Sequence, residues 1–472
     1  MSHSRSAVLV ILAAWMNLAA SAGADSPIDL TPQVTSGDLV RVVVELEVGG
    51  DLKVRDQSQS KTATEEGPLK TVPMSVNGTV EYDERLLPGG DGPLPHRSAR
   101  HYRSAEAVLK IAEGGETRKL SDDTRLVLVD AREGRPTIIC PTGPMERDDL
   151  DLIDLVGNTT ALHALLPGKS VRDGETWPMD SATVQKLLGL DSVALCEVQS
   201  VLDEVNAGFA RVRFTGQVNG AVDGAATELS LQGIYLFDRK LKRISQLNLA
   251  IQEARSIGPT SPGLDAVAKL RIKLTPITET AELSDQIVGN LPAEITDEMR
   301  LLQLRDEKLG FSVAHDRQWY VTGDRREQKT LRRIDDDGLI AQCTMSKLPP
   351  QSAERQTTLE EFVRDIQFAL GKNFREIASS EQWVNQQGER SMAAVVLGQV
   401  ESVPVQWRYY LLAPEQTGSR LSVVVTVEQA VVERLGKTDR ELVDQIDLLP
   451  GTAAVPAETA GLILQQSVLR KR

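Results

Sequence analysis

The sequence predicts an α+β protein: a large N-terminal antiparallel β meander, curved into an open sheet or half-barrel, followed by an antiparallel sheet sandwiched between helices. Three observations carry this. From Leu39 to about Pro276 apolar residues recur with period two, as a half-buried strand requires. Past the midpoint, long strand candidates follow one another with only short turn sequences between them, so they are expected to pair with their sequence neighbours. Beyond residue 305 both periods occur, with helices before and after a run of strands.

The 472 residues carry 67 Asp and Glu against 53 Lys and Arg, a net charge of −14. That length predicts two or three domains. With 41% hydrophobic and 25% charged residues the composition is globular rather than disordered. An acidic chain without a basic block lacks the footprint that holds phosphate backbones, which excludes nucleic acid as a partner. Aromatic residues are only 4%, few for stacking on bases or sugars.

Residues 1–24 read as a cleaved signal peptide. Arg5 precedes an apolar run from Ala7 to Ala20, and small residues at Ala20-Ser21-Ala22 and Ala22-Gly23-Ala24 place cleavage after Ala22 or Ala24. The mature chain is therefore expected to be extracytoplasmic, periplasmic or secreted. No later stretch approaches the ~20 apolar residues of a membrane span.

Residues 25–276 form the β-rich domain. Val40, Val42, Val44, Leu46 and Val48 alternate with Arg41, Val43, Glu45 and Glu47, and Met74 to Tyr82 continue the pattern around Gly78, where a bulge or bend is expected. Leu52 to Leu69 and Leu86 to Arg97 read as loops. Asp148 to Leu155 reads as a solvated helix start or turn, and Asp180 caps a short helix ending at Gly189. Strands follow at 196–202, 210–218, 227–237, 243–254 and 261–276. Their turns fall at Asn206-Ala207-Gly208, at Asn219-Gly220 with Asp223-Gly224, and at Asp238-Arg239-Lys240. Residues 277–305 are a linker or helix, with Thr296 as N-cap before Met299, Leu302 and Leu304.

The second domain spans 306–450. Phe311–Val313, Trp319–Val321, Leu339–Met345, Ala393–Val400, Val403–Leu412 and Arg420–Glu428 read as strands. Thr358-x-x-Glu361 is a capping box opening a helix with Leu359, Phe362, Val363, Ile366 and Leu370 on one face; Thr438-x-x-Glu441 is a second. Residues 451–472 read as a weakly ordered tail in which Leu462 to Leu469 is apolar enough to dock.

Two resemblances add to this. Leu309-Gly-Phe-Ser-Val313, Trp319, the helix from Leu359, Trp407-Arg-Tyr-Tyr-Leu-Leu412 and Leu442 to Pro450, in that order, resemble the PsbP-like α/β/α sandwich over about residues 306–450. The proline common before the tryptophan is replaced by His315 to Gln318. The resemblance implies a binding or accessory module rather than a catalyst. Leu166-Pro-Gly-Lys-Ser-Val171, Gly174-Glu-Thr-Trp177 and Tyr235-Leu-Phe-Asp238 resemble β-rich domains of uncharacterised secreted bacterial proteins, and a half-barrel like that of lipoprotein carriers is the implied shape.

No nucleophile elbow, Walker loop or dinucleotide fingerprint is present, so no catalytic residue, cofactor or metal ligand is assigned. The acidic run Glu146, Asp148, Asp149, Asp151 and Asp154 lacks the glycine and terminal glutamate of a calcium loop. His96 and His101 read as part of a solvated loop entering a strand. Cys140, Cys196 and Cys343 follow apolar residues and read as packing cysteines. The candidate interaction residues are His315, Arg317 and Trp319. They line a pocket, with Trp319 as apolar anchor and Arg317 as charge clamp, or Trp319 is core with a surface loop ahead of it. The leading expectation is an exported, non-enzymatic binding module for a protein or apolar ligand in the cell envelope. A hydrolase or other enzyme without a recognisable motif, and a structural envelope component, are the alternatives.

Overall fold

Alternation along Leu39–Arg55 buries Val40, Val42 and Val44 on one face and leaves Glu45 and Glu47 on the other, and this single-faced pattern recurs along the N-terminal half. The structure is a computed structural model. It describes residues 26–55, 68–89, 94–132, 134–325, 327–335, 338–351, 355–384, 390–413 and 419–449. The signal segment 1–24 and the tail 451–472 lie outside them.

Twelve antiparallel strands make one open sheet. Ser192–Val205, Phe209–Val222, Ala225–Asp238, Arg243–Arg255 and Gly263–Pro276 pair consecutively as the meander predicts, and Gly263–Pro276 then pairs with Leu39–Arg55. Leu69–Leu87, Arg97–Ile111, Leu126–Asp130 and Thr137–Ile139 extend the far side. Asn219 and Gly220 lie within a strand; the turn is Asp223-Gly224 alone, both at positive φ, 48° and 71°, as a tight hairpin needs. Gly78 stays in register with both neighbours, and the irregularity falls instead opposite Glu81 and Tyr82, where Arg103 of the next strand is the unpaired extra residue.

One face of this sheet carries the main core. Helices Arg147–Ile153, Thr159–Leu162 and Ser181–Leu188 cover it with Leu150, Leu162, Val184 and Leu187. The expected cap and stop of the third helix are present: the Asp180 side chain accepts from the Thr183 amide, and Gly189 is left-handed. Of the two readings of 148–155, helix start or turn, the helix forms, with Asp149 buried rather than solvated. Arg97, Ser98, Ala99 and Arg100 are buried strand residues rather than a solvated loop.

The expected helix capped by Thr296 does not form. Residues 281–300 make only short helical turns, Ala281–Leu283, Asp285–Gly289 and Glu298–Arg300. Leu283, Val288, Leu291, Ile295 and Met299 pack them against Leu87, Ala99, Leu128 and Ile139 on the sheet's second face. Leu302 and Leu304 then lie in a strand, Leu302–Asp306, antiparallel to Phe311–His315. Their spacing of two is a strand period, and the cost of leaving Leu302 exposed settles it. A four-stranded sheet joins the halves, because Met145–Glu146 pairs in parallel with Leu302–Gln303.

The C-terminal half is a seven-stranded antiparallel sheet with apolar side chains on both faces. Cys343, Met345, Val423 and Val425 pack against Leu435, Leu442 and Val443 on one side. Val396, Trp407, Tyr409 and Leu411 pack against Phe362, Ile366 and Leu370 on the other. Two strands the pattern did not announce complete the sheet, Gln328–Asp335 and Phe374–Val384.

Candidate functional site

The segment after Phe311–His315 is built by one aspartate. Asp316 accepts the Gln318 amide on its side chain at 2.6 Å and the Trp319 amide on its carbonyl at 3.1 Å, folding a turn that carries the chain from one sheet to the next. Trp319 opens the seven-stranded sheet almost fully buried, with the Arg333 guanidinium 5.9 Å from its ring centre.

This turn forms one wall of a cavity of about 610 Å³. The residues 297–301 form a second wall, and 438–445 a third. His315, Arg317 and Trp319, the three sequence candidates, all line it. Five carboxylates share the lining: Asp297, Glu298, Asp316, Glu441 and Asp444. Leu301, Trp319 and Leu442 complete the apolar part of the lining, of which Trp319 and Leu442 are almost wholly buried. A volume in this range is that of an ordinary ligand pocket.

Two arginines, Arg300 and Arg317, line the cavity as well, and Arg300 is largely exposed. Arg317 is not a free clamp: its Nε donates to the Arg300 carbonyl at 2.7 Å and its Nη2 to the Ile138 carbonyl at 2.5 Å. Its own carbonyl accepts from Arg147 at 2.7 Å. Among the described residues no carboxylate reaches it within ion-pair distance, and burial, with Arg147 close by, lowers its pKa to about 10. Arg317 therefore ties the two halves and the 297–301 segment together through backbone carbonyls. His315 is 3% exposed; its Nδ1 lies 2.8 Å from the Asp316 carbonyl, and burial lowers its pKa, leaving the ring neutral at pH 7. Asp316 sits 3.4 Å from Arg333, and Asp444 is held by Arg440 at 3.1 Å. Asp297 lies 3.9 Å from Arg300, at the edge of ion-pair range.

The carboxylates at 297–298 and 441–444 have no sequence signal that joins them to Trp319. They lie some 20 and 120 residues away, and only the packing of Thr438–Asp444 against Phe311–His315 assembles them. That helix is anchored by Asp439, wholly buried, which accepts from Arg408 at 2.5 Å and from the Tyr410 hydroxyl. Its expected capping box is absent: Thr438 is already helical and its hydroxyl donates to the Leu435 carbonyl at 2.7 Å, leaving Lys437 at the cap.

The other candidates have structural partners. Asp149 accepts from the Ser121 amide and the Thr124 hydroxyl, Asp148 from Arg118 and Asp154 from Arg135. Among the described residues no group of three or more His, Cys, Asp or Glu is arranged to hold a metal ion. The three cysteines are free thiols, Cys140 and Cys343 buried and Cys196 half-buried. The densest buried polar cluster is Glu84, whose Oε1 accepts from Ser98, Arg100 and Thr159, each at 2.8 Å. With its acceptor atom filled and Arg100 lying 5.0 Å over the Tyr82 ring, it braces the main core rather than facing a ligand.

No protein-family model and no curated protein matches the chain. Some solved structures resemble about a third of it, and others, such as the outer membrane protein OprD of Pseudomonas aeruginosa, align with 86% of it at 8% identity and a TM-score of 0.11. The Ran-binding protein Mog1p of Saccharomyces cerevisiae is 10% identical over 32% of this chain and 96% of its own, with a TM-score of 0.26. The PsbP of the cyanobacterium Synechocystis sp. PCC 6803 is 10% identical over 31% and 92%, with a TM-score of 0.25. A Pseudomonas aeruginosa protein of unknown function is 11% identical over 32% and 99%, with a TM-score of 0.22. Scores this low support no conclusion about function.

Proposed function

We propose that this chain is an exported, non-enzymatic binding module of the cell envelope, whose cavity beside Trp319 takes a basic segment of a protein partner. The observation that carries the reading is the cavity's lining: five carboxylates against two arginines, Arg300 and Arg317, the second committed to carbonyls. Lysine or arginine side chains satisfy such a lining through their charge, with the half-buried Leu301 as the apolar surface for an aliphatic stem. The chain's net charge of −14 favours the encounter with a basic partner. In this reading the C-terminal half follows the PsbP-like sandwich and the N-terminal sheet is a half-barrel closed by its own helices, a scaffold rather than a carrier of apolar ligand.

Titration calorimetry with a synthetic octapeptide of alternating Lys, Arg and Gly tests it. The basic peptide is expected to bind the full chain, its acidic counterpart not at all, and binding is expected to weaken with added salt. The double variant Glu298→Gln, Glu441→Gln, both at the cavity rim, is expected to lower affinity about tenfold, the worth of two partly screened pairs. Equal binding of both peptides, or an unaffected variant, contradicts the proposal.

A further inference from the structure

We infer that residues 281–300 form a latch: a strap that lifts off the twelve-stranded sheet as one unit, with the sheets still folded, and uncovers an apolar row on that sheet's second face. The motion needs no ligand in the cavity.

The strap is joined to the sheet in a different way from every strand in it. Strands are held by backbone ladders, whereas among the described residues no backbone hydrogen bond ties 281–300 to the rest of the chain. Its backbone bonds are internal, as from the Val288 amide to the Ser284 carbonyl at 2.9 Å and from Leu291 to Val288 at 3.1 Å. Leu283 is its one buried residue, and Val288, Leu291, Ile295 and Met299 are half-buried. Few buried contacts and solvent-facing backbone bonds place a segment at the low end of a protein's range of opening free energies.

Arginines of the sheet supply what the backbone does not. Arg85 donates to the Leu283 carbonyl at 2.9 Å and pairs with Asp285 at 2.5 Å. Arg97 donates to the Pro292 carbonyl at 3.1 Å, and Arg132 pairs with Glu294 at 3.1 Å. The two carbonyl bonds fix where the strap lies. The two carboxylates, 92% and 75% exposed, make its hold depend on salt.

Beneath the strap, Ala99, Leu128 and Ile139 stand opposite one another on three adjacent strands, and Leu87 lies diagonal to Ala99 on a fourth. All four are buried, and the strap's own apolar side chains are what packs over them. The row is therefore available only in the fraction of molecules whose latch is open. Asp297, Glu298 and Arg300 also wall the cavity, so the same motion takes that wall away.

Hydrogen exchange of the full chain in rising, sub-denaturing urea tests the latch. The amides of Val288, Asn290 and Leu291 are expected to share one opening with a clear urea slope, the mark of surface uncovered together. That opening is expected to be about a hundredfold more populated than opening of the strands from Ser192–Val205 to Gly263–Pro276. Exchange of the three amides only together with those strands, or separately and without a urea slope, overturns the inference. The variant Asp285→Asn, Glu294→Gln removes both ion pairs from the solvent side and leaves the sheet untouched. At low salt it is expected to open the strap about fivefold more often than the parent, the worth of two partly screened pairs, with the difference vanishing at high salt. Equal opening of parent and variant at low salt, or an equal rise in the meander strands, shows that these pairs are no latch.

Discussion

His163 shows how one buried residue sets a pH response. It is 9% exposed beneath the main sheet, where burial, reinforced by Arg243, lowers its pKa to about 4. In the unfolded chain the ring titrates near 6.5, so between pH 6.5 and 4 the unfolded state binds the extra proton and stability falls as pH falls. The stability is fully present above pH 6.5 and is lost progressively towards pH 4. From pH 7 to pH 5 the loss from this one group is about 2 kcal/mol. Urea unfolding of the parent and of His163→Gln is expected to show a pH slope smaller by that amount in the variant; identical slopes contradict it. Single residues were unevenly legible in the sequence. Trp319 and His315 stood out by chemical type, but Arg317 looked like a free charge. Only the structure shows its donors meeting Arg300 and Ile138, because backbone carbonyls of distant segments leave no mark on local composition.

Among elements, two helices with the same Thr-x-x-Glu pattern differ in what the threonine does. At 358–361 the box closes in both directions: Glu361 N donates to Thr358 Oγ1 at 3.2 Å and Thr358 N to Glu361 Oε2 at 3.0 Å. Thr358→Ala is expected to cost about 1 kcal/mol in chemical denaturation, the usual worth of a lost N-cap. Thr438→Ala is expected to cost less than half as much, since its hydroxyl meets the Leu435 carbonyl and caps no free amide. Equal losses would show that the pattern alone sets the energy. The strands that the sequence did not announce have a physical reason for being silent. In Gln328–Asp335 the inward positions include Lys329 and Arg333, buried against Asp306 at 2.8 Å and Asp316 at 3.4 Å, so paired charge replaces apolar alternation. Phe374–Val384 is an edge strand exposed along most of its length, with no buried face to impose a pattern. The meander was plain because each of its strands buries apolar residues at alternate positions.

For the whole molecule, two sheets of opposite design meet at a polar seam. The N-terminal sheet is covered by its own helices on one face and strapped by residues 281–299 across the edge of the other; the C-terminal sheet is apolar on both faces. Between them Arg317, Arg147 over the Tyr320 ring at 4.8 Å, and Arg332 on the Pro259 carbonyl at 2.8 Å make the contacts. The cavity lies against this seam, and that is why composition and period could not reveal it: its three walls come from segments that only tertiary packing brings together. Amide hydrogen exchange of the full chain, with and without the basic octapeptide, tests the central claim most directly. Binding is expected to slow exchange in residues 297–301, 314–319 and 438–445 together; unchanged exchange in those segments at saturating peptide, or protection confined to the twelve-stranded sheet, contradicts it.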